Sequence, residues 1–159
     1  MIGEPNNRIS KGALTVWRIH GIIGSVITLI ISFTLGTLCF LFDWPVWIVY
    51  GLAVLFILEV YYFVLFRPKL RWLRWRYEVR EQEIEIQHGL FVVRKTLIPM
   101  IRVQHVDNTQ GPILKKFGLA TVTISTAATQ HEIPALEEVE AEELRHVISR
   151  LARVADEDV

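Results

Sequence analysis

The chain of 159 residues contains a single cysteine, so it can form neither an internal disulfide nor a multi-cysteine zinc site. It also lacks net charge, with 17 Lys+Arg against 17 Asp+Glu. A freely diffusing nucleic-acid binder would normally be basic. The five histidines (His20, His88, His105, His131 and His146) include no i,i+4 pair and no Cys/His cluster of the kind a metal site needs. There is no Gly-rich phosphate loop, since Gly111 and Gly118 stand apart. Ser125, Ser149 and the threonines carry no local nucleophile signature. These absences predict a non-enzymatic protein with no catalytic residue, no metal and no cofactor.

What the chain has in quantity is apolar sequence: hydrophobic residues make up 52% and the mean hydropathy is +0.34. The balance of charge conceals two unlike halves. Residues 1–76 carry eight basic and three acidic residues, and residues 77–159 carry nine basic and fourteen acidic. The halves therefore differ by +5 against −5. In the first half, Gly21–Phe42 is 22 residues without a charge, and Trp44–Phe66 is 23 residues with one, Glu59. A hydrocarbon core about 30 Å thick is crossed by about 20 helical residues, so each run is long enough to span. The remaining chain is too short to bury two helices that are apolar all round. The first run exceeds the length of a signal-peptide core and ends Leu38-Cys39-Phe40-Leu41-Phe42, without the small residues of a cleavage site. It is expected to stay as an anchor, with Cys39 a small apolar residue near its outer end.

Phe42-Asp43-Trp44-Pro45 separates the runs, so they form a tight antiparallel hairpin. Asp43 can cap a helix and proline is accepted in a first helical turn. No Lys or Arg lies at this tip. Eight lie on the other side: Arg8, Lys11 and Arg18 before the first run, and Arg67, Lys69, Arg71, Arg74 and Arg76 after the second. The positive-inside rule then places both termini of a multi-pass membrane protein in the cytoplasm. Trp44, Trp47 and Tyr50 suit the outer interface, and Trp17, Tyr61, Tyr62, Trp72 and Trp75 the inner one.

In the first helix Gly21, Ser25, Thr28 and Ser32 recur at spacings of four, three and four. Such a face of small and hydroxyl residues lets helix backbones approach closely in lipid. Counting inward from both inner ends puts Glu59 at the depth of Thr28, about 10 Å below the boundary at 1.5 Å per residue. An intramembrane carboxyl is costly and normally faces protein. Glu59 would hydrogen-bond within the hairpin or to a partner subunit, snorkel to the surface, or serve a proton or ion path. The last option lacks a second carboxylate, His or Lys nearby. The segment after the second run, Arg67 to Arg76, interleaves Arg67, Lys69, Arg71 and Arg74 with Trp72 and Trp75. At the end of a span this pattern suits lipid headgroups, since each juxtamembrane base adds about 1 kcal/mol on an anionic leaflet.

The second half alternates as β-strands do. Tyr77–Val79, Ile84–His88, Leu90–Ile98, Ile101–Val106, Ala120–Ser125 and His131–Ala135 are strand candidates, with a tight turn at His88-Gly89 and a helical turn at Ile113–Phe117 closed by Gly118. Glu137–Val154 reads as an amphipathic helix with Leu144, Val147, Ile148, Leu151 and Val154 on one stripe. Its acids lie at the start and its arginines toward the end, as the helix dipole favours. Arg94, Lys95, Lys115 and Lys116 are a candidate basic docking patch for lipid or a partner, against the alternative of ordinary solvated charge.

Certain short motifs go further: Tyr77-Glu78-Val79, Ile86-Gln87-His88-Gly89-Leu90, Ile98-Pro99, Arg102-Val103-Gln104-His105-Val106, Gln110-Gly111-Pro112-Ile113 and Phe117-Gly118-Leu119-Ala120. In this order they resemble the bacterial pleckstrin-homology-like family of membrane-flanked domains. The resemblance implies a two-helix transmembrane hairpin followed by a cytoplasmic α+β PH-like domain, an antiparallel β roll with a C-terminal α-helix. The expected layout is an N-terminal segment 1–20, the hairpin 21–66 (21–42 and 44–66), a juxtamembrane segment 67–76, the domain 77–155 and an acidic tail 156–159. The family supplies no activity. Its members often accompany a larger relative, so a partner membrane protein of the same family is implied, along with contact to membrane lipids. The expected role is a scaffold or interaction module, in cell-envelope maintenance or tolerance of membrane-active peptides by analogy. The alternatives are a sensor of anionic lipid at the inner leaflet and, more weakly, a transport component using Glu59. The loop Arg80-Glu81-Gln82-Glu83 is mostly acidic, unlike the basic first loop of phosphoinositide-reading relatives, and His105 replaces a small polar residue.

Overall fold

The computed structural model describes residues 5–157, which divide into two units: Trp17–Leu70, and residues 5–16 together with 71–157. The first unit is the hairpin. Helix α1 (Gly12–Leu41) is 30 residues long. It starts nine residues before the uncharged run, because nothing in Gly12–His20 breaks a helix. Asp43 does not start the second helix as expected. It adopts a left-handed backbone (φ 53°) just past the end of α1, and the Trp44 N–H bonds the Cys39 carbonyl at 2.9 Å. That six-to-one closure ends a helix at its C-terminus. The cap position of α2 (Trp47–Val60) is Val46, which makes no side-chain cap bond.

A π-helical stretch, Tyr61–Phe66, follows α2 and leads into α3 (Arg67–Arg74). The Arg67 N–H reaches back five residues to the Tyr62 carbonyl. Pro68 explains the wide turn: its ring would strike the carbonyl four residues earlier in a regular helix, and it has no N–H to give. The basic-aromatic segment after the span is therefore helical as far as Arg74. Apolar side chains stand outward along both helices, Phe33 and Phe40 being 76% and 86% exposed. Such surfaces are stable in hydrocarbon and not in water. With the family likeness given below, they establish a transmembrane hairpin.

The second unit contains two antiparallel sheets. One has the order β1 (Asn7–Arg8), β2 (Arg76–Val79), β3 (Glu83–His88), β4 (Arg94–Pro99). The other has the order β5 (Val103–Thr109), β6 (Leu119–Thr126), β7 (Gln130–Glu137). A 3-10 turn, Met100–Arg102, joins β4 to β5 where the pattern reads as strand from Ile101. A short helix α4 (Pro112–Lys116) joins β5 to β6, and Gly118 takes the left-handed φ of 63° that ends it. Helix α5 (Glu138–Glu157) packs against β5, β6, β7 and the 3-10 turn. Asp156 and Glu157 of the expected tail continue this helix, while Asp158 and Val159 lie outside the described residues.

The core is built by period-two inward positions: Tyr77, Ile84, Ile86, Ile98, Val122, Ile124 and Ile133, with Ile148 from α5. Val154 sits off this stripe and is 50% exposed. The beginning of the chain belongs to this unit as well. β1 pairs with β2, and Ile9, Ala13 and Val16 are buried. Gly12 lies so close to Leu119 that a Cβ would come within 2.8 Å of its side chain.

Candidate functional site

Within the hairpin unit, the small-residue face does what its spacing implies. A Cβ on Gly21 would come 2.7 Å from the Phe63 carbonyl oxygen, so the two backbones touch there. One turn along each helix, the buried Ser25 Oγ donates to Glu59 Oε1 at 3.4 Å. The register thus sets Glu59 against Ser25, three residues from the Thr28 that depth-counting selects. Thr28 bonds the Gly24 carbonyl of its own helix instead, and Ser32 is half-buried. Glu59 Oε2 is enclosed and makes no hydrogen bond. The single cysteine, Cys39, is buried near the outer end of α1.

The juxtamembrane residues fall into two groups. Arg67 lies over the Phe63 ring at 5.5 Å, and Lys69 is exposed. Trp72 and Trp75, expected at the lipid surface, serve the β unit instead. Trp72 Nε1 donates to the Ile9 carbonyl at 3.3 Å and its ring carries Arg8 at 5.9 Å. Trp75 is buried and stacks on His88 at 5.6 Å. The Arg74 guanidinium donates to the Phe91 carbonyl at 3.1 Å.

That bond leads to a feature the sequence pattern concealed. Leu90–Val93, read as the start of a long strand, is a loop, and β4 begins only at Arg94. Gly89 forces this (φ 144°), because a Cβ there would meet the Val92 carbonyl at 2.0 Å. Phe91 and Val92 are 69% and 74% exposed. The signal was present in the sequence: Leu90-Phe91-Val92-Val93 runs four apolar residues together where a half-buried strand would alternate. Arg94 pairs with His88 across the β3–β4 ladder. The His88 imidazole is held below its usual range by burial, then by the charges of Arg71, Arg94 and His131. The charges that lower it are basic.

The remaining candidate residues are spread out. Arg94 and Lys95 lie on β4, while Lys115 and Lys116 lie on α4 beside the other sheet. Lys95 Nζ is 4.0 Å from the carboxylate of the buried Glu85. In the first hairpin loop Arg80 contacts Glu78, Glu83 and Glu85 at 2.9, 3.0 and 3.2 Å, so no base is left there for a phosphate. His105 is exposed and 2.9 Å from Asp107. Among the described residues no three His, Cys, Asp or Glu side chains are placed to share a metal ion. A groove of about 430 Å3 runs between the β4–β5 corner (Leu97, Ile101, Gln104) and the β6–β7 turn (Ala127, Thr129, His131). Leu97 and Ile101 are about half exposed on it, at 48% and 52%.

Residues 19–152, the hairpin and most of the β unit, match the family described as Bacterial PH domain. The chain belongs to the bacterial PH domain family. It is 53% identical over 156 residues, 98% of both chains, to the UPF0699 transmembrane protein YdbS of Bacillus subtilis. It is 29% identical over 83 residues to the UPF0699 transmembrane protein YdbT of the same organism, covering 50% of this chain and 17% of that one. No solved structure matches. A bacterial PH domain carried on a transmembrane hairpin is thus a membrane protein.

Proposed function

We propose that this bacterial PH domain protein is a non-catalytic, membrane-anchored interaction module. The hairpin holds both termini in the cytoplasm, supported by eight basic residues on the terminal side and none at the tip. The β unit binds a partner membrane protein of the same family. The observation that carries this reading is the groove at the β4–β5 corner, where Leu97 and Ile101 stay open to solvent. Beside it, β4 and β5 each have an edge with no strand partner among the described residues. Such an edge with apolar anchors suits added strand or loop backbone from another chain. The coexistence of YdbS and the longer YdbT in one organism supports a partner of that kind.

The test is purification of the full-length chain from its own host in mild detergent. The longer relative should copurify at a fixed ratio. Leu97→Asp with Ile101→Asp should lose it while leaving the chain in the membrane. Recovery of the chain alone would overturn the reading. A role in envelope maintenance or tolerance of membrane-active peptides would follow through that complex, and the double variant should then reproduce the deletion phenotype.

A further inference from the structure

We propose that the Gly89–Arg94 connection is a second membrane anchor: Phe91, Val92 and Val93 enter the edge of an anionic bilayer while Arg74 and Arg94 bind the headgroup phosphates at its base. Three consecutive apolar side chains, Phe91, Val92 and Val93, project from this loop with exposures of 69%, 74% and 42%. Their loop is fixed from both sides. Gly89 supplies the left-handed backbone, and the Arg74 guanidinium grips the Phe91 carbonyl. The loop therefore presents its apolar side chains instead of folding them away.

The surroundings select the occupant. The exposed Arg94 and Lys95 follow the tip directly. Arg71 and Arg94 lie close enough to His88 to act on it by charge, together with His131. An apolar point in a basic collar is complementary to an anionic leaflet, with hydrocarbon below a layer of phosphate. Arg74 is also eight residues past Phe66, the last apolar residue of the second span. At 1.5 Å per helical residue this is a reach of about 12 Å from the hydrocarbon edge. A protein partner is the poorer fit, since a stable interface needs roughly 1,000 Å2 or more and three side chains fall well short.

The experiment uses the full chain with Cys39→Ala, reconstituted in phosphatidylglycerol-containing vesicles and labelled with an environment-sensitive fluorophore at Val92→Cys. Ala128→Cys, in the β6–β7 turn, is the control. The expected result is blue-shifted emission at 92, quenching by acyl-chain nitroxide lipid and loss of quenching by aqueous iodide. The control should be quenched by iodide alone. Arg74→Glu with Arg94→Glu should return the label at 92 toward the control. Equal iodide quenching at 92 and 128 overturns the proposal. So does protection at 92 that grows with the protein-to-lipid ratio without lipid-borne quenching, which assigns the tip to a second copy of the chain.

Discussion

The hairpin and the β unit are built from similar apolar residues turned opposite ways. In the β unit Ile84, Ile124, Ile133 and Ile148 are fully enclosed. In the hairpin Ile27, Ile30 and Ile31 are more than half exposed, and the enclosed positions within the two spans are Ser25 and Cys39, with Gly21 at the backbone contact. The difference shows which solvent each was made for. Water drives isoleucine inward, whereas hydrocarbon gains nothing from hiding it. Helices in lipid are held by close backbone approach and a few polar bonds. The N-terminal segment ties the comparison together, because Ile9, Ala13 and Val16 are buried in the β unit although they precede the first span.

Substitutions that treat both regions alike should separate them. Ile148→Ala, in the β core, should cost about 2–5 kcal/mol, read as a lower denaturant midpoint for protease resistance of the β unit. Ile30→Ala on the lipid face should leave that midpoint unmoved. Gly21→Val should cost about 1–3 kcal/mol of hairpin stability, because the Phe63 carbonyl stands 2.7 Å from the added Cβ. Its readout is helix–helix energy transfer in bicelles.

Tyr77→Phe should cost about 1 kcal/mol by removing the 2.7 Å bond from Tyr77 to Glu140 that joins β2 to α5. The phenol's pKa is raised by burial, then by the Glu140 hydrogen bond and charge. Its stabilisation is therefore complete below its ordinary value near 10 and lost as pH rises beyond it. The Phe variant should abolish that alkaline loss. His88 has the opposite profile. Its pKa is lowered, so its contribution is complete above about 6.5 and declines as pH falls below. His88→Gln should flatten that acidic limb. Smallest of all, Ser25→Ala should cost about 0.6 kcal/mol, the average for a hydrogen bond in lipid. Glu59→Gln should be accepted with partner binding intact, and abolition of function by it would favour a transport role instead.

The spans were legible because length and lack of charge suffice to specify them, and the β unit because its strands alternate and its motifs resemble a known family. The errors have local causes. β1 is two residues, too short for a pattern, and it pairs with β2 across nearly 70 residues. Asp43 carries the chemistry of either helix end, and only its backbone shows which one it serves. Glu59 was expected level with the Ser25/Thr28/Ser32 face, and the contact of Gly21 with Phe63 sets the register that selects Ser25 from that face. Leu90–Val93 looked like strand because a run of apolar residues fits a buried strand as well as a loop, and the backbone of Gly89 decides between them.

The central claim is that the hairpin crosses the membrane and holds the β unit on the cytoplasmic side. The most direct test is a single cysteine, in a Cys39→Ala background, at Trp47 by the hairpin tip or at Ala128 in the β unit, exposed to a membrane-impermeant maleimide on intact cells. The account predicts labelling at 47 without permeabilisation and at 128 only after it. Labelling at 128 in intact cells, with 47 protected, would contradict it.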